Sequence, residues 1–222
     1  MTALTIYTSN FRNYDVVFDP ACIDHPYFCF TDTIGAHGDH GIWRHIVVPN
    51  RQRTPQVDAR WHKLHPHVLF PHSEWTLYHD ASLSLIRCPL DFAAWCAEAT
   101  GRDDVDLYLF SHPERDCLYD EAEACARLGK DTPERMEPQL ARYRQMGFPR
   151  HAGMWQAGIL LRRNTPKARA FHERWWSELA AGSHRDQLSL PVAMQLTHLD
   201  FATLPHEKLT DWFAWRADHS AK

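Results

Sequence analysis

The sequence has no long hydrophobic run and no excess of basic charge, and both absences narrow the range of functions. No apolar stretch reaches the roughly 18 residues of a membrane span, so we predict no transmembrane segment. Residues Met1 to Phe11 lack the basic and then apolar pattern of a signal peptide, so we expect a cytoplasmic protein. The 24 Lys and Arg residues are outnumbered by 28 Asp and Glu residues, which argues against a nucleic-acid partner.

Common zinc motifs are also missing. None of the six cysteines forms a CxxC pair, so we expect reduced and mostly buried thiols. His62, His65 and His67 do not have the HExxH spacing of zinc proteases. Repeats, low-complexity tracts and linkers are absent as well, so residues 1–222 are interpreted as a single domain. The sequence does not indicate an oligomeric state.

The composition is that of a globular protein with unusually many tryptophans and histidines. Hydrophobic residues make up 44% and charged residues 23% of the chain, which is ordinary for a folded domain. Nine tryptophans and 16 histidines are both high counts. The tryptophans fit either a densely packed core or exposed indole rings that stack on sugars, and the composition leaves both explanations open.

Short apolar strands alternate with helical patterns along the chain. Strands are expected over residues 4–8, 27–32, 42–48, 74–80, 83–86, 106–111 and 158–162. Helices are expected over residues 57–64, 91–99, 118–128, 133–146, 167–181 and 187–196, the last of these being the final element. This alternation predicts an α/β fold with a mostly parallel central sheet and helices on both faces.

Two acidic residues stand where predicted strands end. Asp32 follows the second strand, and Asp80 follows the strand over 74–80. Ligands of open α/β sheets bind at the carboxyl ends of the strands, and a carboxylate there suits a divalent ion that bridges phosphates. Asp80 is followed by Ala81 and Ser82 rather than by a second acid. An acid that merely caps the next turn is an equally good interpretation.

A basic pair lies on the first predicted helix. Arg60 and Lys63 are three residues apart and share one helical face. Such a pair can grip a diphosphate, with a forked guanidinium and a point charge. A solvated basic face is the alternative.

Two further segments carry polar groups that could point into a cleft. Asp186 and Gln187 begin a predicted helix, where they either cap it or place a carboxylate and an amide in a pocket. His112, Arg115 and Asp116 follow a predicted strand. The neighbouring cysteine at position 117 is interpreted as structural rather than reactive.

Five sequence runs occur in one fixed order, and together they resemble the TOD/MUCI glycosyltransferase-like domain. The runs are ARWHKLHPHVLFP, HPERDCLYDEAEAC, GMWQAGILLRRN, FHERWW and SHRDQLSL. The resemblance extends over about residues 14–190. It implies a Rossmann-like domain of the GT-A type, with a divalent ion on an aspartate-containing loop.

The resemblance also implies a metal site and a donor site. Asp80 and Ser82 would hold Mn²⁺ or Mg²⁺, with His206 as a candidate further ligand. The residues implied on the donor side are Thr8, Asp32, Arg60, Lys63, His112, Arg115 and Asp116.

Catalysis and acceptor binding are implied at four other positions. Asp186 would accept the acceptor's proton or orient the donor sugar, beside Gln187. Trp155, as an exposed indole, and Gln156 would contact the sugar or the acceptor. Gln156 stands where the family pattern leads us to expect a glutamate.

The resemblance therefore implies transfer of a sugar from a nucleotide-sugar donor, UDP-linked, to a saccharide or other hydroxyl acceptor. We expect such a reaction to serve polysaccharide or glycoconjugate synthesis. Two alternatives stay open: a saccharide-binding protein without catalysis, and a metal-dependent hydrolase that uses the histidine-rich loops.

Overall fold

The computed structural model describes residues 4–33, 41–49 and 54–216. Its strands are β1 (Leu4–Ser9), β2 (Tyr27–Thr31), β3 (Trp43–Val47), β4 (Trp75–His79), β5 (Leu83–Leu85), β6 (Leu107–Phe110), β7 (Ile159–Arg163), β8 (Phe201–Leu204) and β9 (Phe213–Trp215). Its helices are α1 (Pro55–Leu64), α2 (Pro66–Leu69), α3 (Pro89–Thr100), α4 (Leu118–Arg127), α5 (Pro133–Gln145), α6 (Pro166–Ala180) and α7 (Asp186–Thr197), with a 3₁₀ helix at His206–Asp211.

The strands form a central sheet in the order β3-β2-β1-β4-β7-β6-β8, beside a small antiparallel sheet of β5 and β9. In the central sheet β7 runs antiparallel to β4 and β6, while the other neighbouring strands pair in parallel. The predicted mostly parallel sheet is therefore confirmed. Parallel strands bring their carboxyl ends to one edge, which places the ends of β1, β2 and β4 side by side.

Helices cover both faces of this sheet, as predicted. Ile6 and Tyr7 are adjacent in β1 but pack into different clusters, because successive side chains of a strand point to opposite faces. On the face of Ile6 lie α3 and the small sheet, with Phe92 fully buried. On the face of Tyr7 lie α1, α6 and α7, with Trp175 fully buried. A third cluster joins α4, α5 and α7.

The carboxyl-terminal elements differ from the prediction. The helix expected last is α7, but β8, the 3₁₀ helix and β9 follow it. The four-residue helix α2 was also not expected. These elements have three to six residues, too few for a helical or alternating pattern to emerge, and tertiary contacts determine their form.

Helix α3 begins at Pro89 rather than Asp91, since a proline at the first helical position needs no amide partner. None of the described helices is both long and apolar enough to cross a lipid bilayer.

Candidate functional site

A cleft of about 620 Å³ opens at the carboxyl ends of β1 and β4. Its walls include Ser9 and Asn10 at the end of β1, Asp80 and Ser82 after β4, and Arg60 on α1. Small-molecule sites typically enclose about 300–1,000 Å³, so the cleft has room for a ligand of cofactor size. Its position at the strand ends agrees with the general location of ligand sites in α/β sheets.

Helix α1 is capped at its first turn and bonded to the sheet at its last turn. The Thr54 hydroxyl accepts a hydrogen bond from the Val57 amide at 3.3 Å and caps the first turn. At the other end the Lys63 carbonyl accepts from the Tyr7 hydroxyl at 3.1 Å and from Nη1 of Arg162 at 2.6 Å. The positively charged guanidinium is favourable there because the helix dipole gives the carboxyl end of a helix a partial negative charge. These contacts fix the helical face that carries the predicted basic pair.

Four charged residues that the sequence singled out in three separate segments form one network. Lys63 Nζ lies 2.6 Å from Asp186 Oδ2 and 3.6 Å from Asp80 Oδ1. Arg60 Nε lies 3.2 Å from the same Asp186 oxygen. The Lys63 and Asp186 side chains are only 1% and 4% exposed, whereas Asp80 is 37% exposed. The network therefore has a buried ion pair, Lys63 with Asp186, and one carboxylate, Asp80, that reaches the cleft.

Asp186 is held in its ionised form. Burial favours the neutral acid, but the charges of Arg60 and Lys63 and the Lys63 hydrogen bond outweigh it and hold the pKa of Asp186 well below its usual range. A carboxylate with so low a pKa is a weak proton acceptor at neutral pH. The geometry thus favours a positioning role for Asp186 over that of a general base.

The start of α7 shows that Asp186 is not used as a helix cap. Arg185 occupies the cap position and Asp186 is the first helical residue, without a capping bond. The preceding turn is instead closed by the Ser183 hydroxyl, which accepts from the Arg185 amide at 3.0 Å. Gln187 donates to the Trp155 carbonyl and accepts from Arg185 Nη2, each at 3.3 Å. Gln187 therefore does not line the cleft itself but contacts Arg185, which does.

The two carboxylate oxygens of Asp80 have different surroundings. Its Oδ1 accepts from the Tyr78 hydroxyl at 3.0 Å and faces Lys63. Neither contact uses Oδ2, and a Cβ at Gly158 would come within 3.1 Å of that oxygen. Mg²⁺ is usually bound by one or two carboxylates together with substrate phosphates. The single carboxylate, with Ser82 also lining the cleft, fits an ion that arrives with a phosphate ligand.

His206 lies with Gln156 at the end of β6. Gln156 Nε2 donates to His206 Nδ1 at 2.7 Å, and the His206 amide donates to the Ser111 hydroxyl at 3.2 Å. Within residues 4–33, 41–49 and 54–216, no set of three metal-ligating atoms within 4.8 Å of one another includes Asp80 or His206. The geometry gives no protein-only metal cage at Asp80.

The segment after β6 is occupied with internal pairing. Arg115 forms ion pairs with Glu114 and with the buried Glu121. His112 Nδ1 accepts from two backbone amides of the same turn, at 3.1 and 3.2 Å. Asp116 pairs with His151 at 2.7 Å on the surface. None of His112, Arg115 and Asp116 lines the described cleft, and Arg115 instead pairs with Glu121 in the first turn of α4.

Asp32 and Thr8 lie near the cleft without lining it. Asp32 Oδ1 accepts from the Arg12 amide at 2.7 Å and from the Thr33 hydroxyl at 3.0 Å. It thereby anchors the loop after β1, which supplies Asn10 to the cleft wall. The Thr8 side chain is fully buried, and its hydroxyl has no hydrogen-bond partner in the described part of the chain.

Trp155 is buried, so the expectation of an exposed indole at this position is wrong. Its ring packs edge-on against Phe201 at 5.1 Å, and its Nε1 donates to the Thr203 hydroxyl at 2.9 Å. A Cβ at Gly153 would lie 2.6 Å from the indole, so the glycine backbone covers the ring. The packed-core explanation holds for this tryptophan.

Trp215, Arg185 and Lys130 are among the cleft residues that the sequence reasoning missed. Trp215 is 67% exposed on β9, and the amide of the next residue donates to the Ser82 carbonyl at 2.8 Å. Arg185 and Lys130 add two cations to the wall. Lys130 gets there because Gly129 adopts φ 64° after α4, a conformation that glycine takes without strain. A glycine directly after a predicted helix was the one signal that could have found it.

The histidine-rich segment does not form a metal site in the described residues. His62 and His65 each place Nδ1 at 2.7 Å from a main-chain carbonyl four residues earlier. His67 pairs with Glu173 at 2.8 Å. No set of three ligating atoms within 4.8 Å brings these histidines together in the described ranges. The hydrolase alternative thus gains no support from this geometry.

Known proteins resemble this chain over most of its sequence and over most of its fold. A plant protein named "Probable hexosyltransferase MUCI70", from Arabidopsis thaliana, is 28% identical over 164 residues. That match covers 67% of this chain and 27% of the plant protein. The solved structure "WbbM bifunctional glycosytransferase apo structure" superposes with a TM-score of 0.55 at 10% identity, over 92% of this chain and 39% of that one. At that identity the superposition shows a shared fold.

The sequence family is shown by a longer match. The family model described as "TOD1/MUCI70, glycosyltransferase-like domain" matches residues 27–207, which include β4 and the cluster at Asp80 and Asp186 but not β1. The chain belongs to the TOD1/MUCI70 glycosyltransferase-like domain family.

Proposed function

We propose that the protein transfers a sugar from a nucleotide-sugar donor to a hydroxyl group of a saccharide or other acceptor. The observation that carries this proposal is the network of Arg60, Lys63, Asp80 and Asp186 at the floor of the cleft. It lies at the strand ends where α/β folds bind nucleotides. Both the family and the relative named a hexosyltransferase agree with this reaction class.

The charge of the cleft suits an anionic donor that brings a cation with it. Arg60, Lys130 and Arg185 line the cleft together with the carboxylates Asp15 and Asp80, which leaves one net positive charge. Lys63 and Asp186 beneath them cancel each other. One positive charge does not neutralise a diphosphate, in which each phosphoryl group is negative. A divalent ion held by the partly exposed Asp80 carboxylate would supply the missing charge.

During transfer the acceptor oxygen bonds to the anomeric carbon and gives up its proton to water, while the diphosphate leaves with the electron pair of the broken bond and gains negative charge. Arg60 is oriented by Asp186, so its guanidinium is held before the donor arrives and needs little reorganisation. Asp80 would hold Mn²⁺ or Mg²⁺, and the bound ion would supply Lewis-acid stabilisation for the leaving diphosphate. Lys63 keeps the Asp80 and Asp186 carboxylates at fixed positions through its two contacts.

The acceptor side of the proposal rests on Trp215. Its indole is largely exposed at the rim of the cleft, next to the turn that carries Ser82. A flat apolar ring of this kind can stack on the apolar face of a sugar. Trp215 therefore takes the role that the sequence assigned to Trp155.

Release of the nucleotide from a set of nucleotide sugars, with and without Mn²⁺, tests the reaction. The assay includes the Asp80→Asn variant and, as a matched control, Asp103→Asn, which changes an exposed aspartate outside the cleft lining. We expect metal-dependent turnover that falls at least about 100-fold in Asp80→Asn, the loss of about 3 kcal/mol of transition-state stabilisation. Full turnover in Asp80→Asn would remove Asp80 from the mechanism.

One observation favours a second candidate, a nucleotide-sugar-binding protein without catalysis. Asp80 is followed by Ala81 and Ser82 rather than by a second acid, and Gln156 carries an amide in place of a carboxyl group. In that case the wild-type protein would bind the donor in a calorimeter and release no nucleotide with any acceptor. Turnover by the wild-type protein excludes this candidate.

A further inference from the structure

Two cysteines and one histidine meet on the side of the sheet that α3 covers. Cys22 and His25 lie in the segment between β1 and β2, and Cys88 directly precedes α3. One ligating atom from each lies within 4.8 Å of the other two, and Cys88 Sγ is 3.7 Å from His25 Nε2. All three residues are partly exposed, so solvent and ions have access to them. None of them lines the cleft.

The separation between the Cys88 sulfur and the His25 nitrogen agrees with tetrahedral coordination of zinc. With Zn–S bonds of about 2.3 Å and Zn–N bonds of about 2.0–2.1 Å, neighbouring ligand atoms of a tetrahedron stand about 3.6 Å apart. The observed 3.7 Å between sulfur and nitrogen is close to this edge length. We propose that Cys22, His25 and Cys88 bind one Zn²⁺ ion, with a water molecule in the fourth position.

The backbone around the three residues is held in place by contacts that do not need the metal. The Ala21 amide donates to the Leu85 carbonyl at 3.1 Å, which ties the segment to β5. The Tyr27 hydroxyl donates to the Cys22 carbonyl at 2.8 Å. On the other side the Cys88 carbonyl accepts from the Phe92 amide at 3.1 Å in the first turn of α3. The ligands are therefore positioned in advance, as a metal site requires.

The ligand types select the metal. Thiolate and imidazole groups favour zinc, whereas Mg²⁺ and Mn²⁺ prefer oxygen ligands. This site is thus chemically distinct from the carboxylate at Asp80. Its occupation would crosslink the β1–β2 segment to the start of α3.

The remaining cysteines are unlike this pair. Cys29 and Cys96 are buried in the core on the same face of the sheet, and Cys117 and Cys125 are buried beneath α7. Cys117 does come close to Asp120 and His151, but that group has a single sulfur and its other members already pair with Arg150 and Asp116. The experiment below separates the two groups.

The test uses the whole chain, reduced with a phosphine, stripped with a chelator and then titrated with Zn²⁺ or Co²⁺. We expect one Zn²⁺ per chain, a higher melting temperature with zinc, and a thiolate-to-cobalt charge-transfer band with Co²⁺. His25→Asn and the double variant Cys22→Ser/Cys88→Ser should lose all three signals. His198→Asn makes the same change at an exposed histidine outside both groups, and His151→Asn removes the histidine of the second group. Both of these controls should bind zinc as the wild type does.

The outcomes are separable from misfolding and from oxidation. Metal-free His25→Asn should melt at the temperature of the metal-free wild type, because the histidine is partly exposed. A fully reduced wild type that takes up no zinc would overturn the proposal, even if a Cys22–Cys88 disulfide forms in air. Zinc that is retained by His25→Asn and lost by His151→Asn would overturn it as well.

Discussion

Removal of the Asp186 carboxylate tests whether the buried network holds the cleft together. In Asp186→Asn the Lys63 ammonium, 1% exposed, loses the partner at 2.6 Å, and Arg60 loses the partner at 3.2 Å. Loss of one member of a buried ion pair typically costs about 3–5 kcal/mol. Asp80 stays 3.6 Å from Lys63 and offsets part of that cost, so we expect the lower end, about 3 kcal/mol.

The assay is thermal unfolding at neutral pH. For a chain of this size each kcal/mol lowers the melting temperature by about 2–4 °C, so Asp186→Asn should melt about 6–12 °C below the wild type. Asp103→Asn, an exposed change of the same type, should stay within about 0.5 kcal/mol of the wild type. The double variant Lys63→Met/Asp186→Asn should recover part of the loss, because the charge left without its partner is gone.

The lowered pKa of Asp186 also predicts how the stability difference between wild type and Asp186→Asn changes with pH. Arg60 and Lys63 overcome the effect of burial and hold the folded-state pKa of Asp186 below the value of about 3.9 in an unfolded chain. A lowered folded-state pKa contributes stability above the unfolded value, and this contribution is lost as the pH falls through the folded value. The difference in stability between wild type and Asp186→Asn should therefore be constant above about pH 5 and shrink below about pH 4. A difference that is absent at neutral pH, or one that does not change in acid, would refute the reasoning.

Two smaller perturbations separate the parts of the cleft. Trp215→Ala should raise KM for a saccharide acceptor without changing donor affinity or melting temperature, because the indole is 67% exposed. The contrasting variant is Trp212→Ala, which removes a buried indole and should lower the stability by about 3–5 kcal/mol. Unchanged acceptor kinetics in Trp215→Ala would exclude Trp215 from the acceptor site. Gly158→Ala would place a Cβ 3.1 Å from Asp80 Oδ2, so we expect weaker binding of Mn²⁺ with an unchanged fold. The Mn²⁺ concentration for half-maximal turnover should therefore rise, and an unaltered concentration would show that this oxygen does not contact the ion.

The sheet was predictable because its strands carry strong local signals. β1, β4 and β7 are short apolar runs bounded by polar or turn residues, and the alternation with helices sets the fold class. The small sheet of β5 and β9 was only half predicted. β9 has three residues, and its conformation depends on pairing with Leu83–Leu85, more than a hundred residues earlier in the chain. No local pattern reports such a partner.

The cysteine pair illustrates the same limit. Cys22 and Cys88 show no metal-binding spacing, since 66 positions separate them along the chain. The structure joins them because the segment before β2 crosses to the start of α3. Spacing rules detect only those sites whose ligands share one turn or hairpin.

The sequence left open whether the basic pair on α1 binds a diphosphate or is a solvated surface, and the structure agrees fully with neither alternative. Arg60 and Lys63 share a helical face, as expected, but that face is neither a solvated surface nor wholly available to a ligand. Their nearest anion is the protein's own Asp186, from a helix that begins more than 120 residues later in the chain. Because Lys63 is fully committed there, a bound diphosphate would meet Arg60 and the two cations that the sequence did not reveal, Arg185 and Lys130. The internal carboxylate keeps the basic residues in place, and the exposed rim supplies the charge for the ligand.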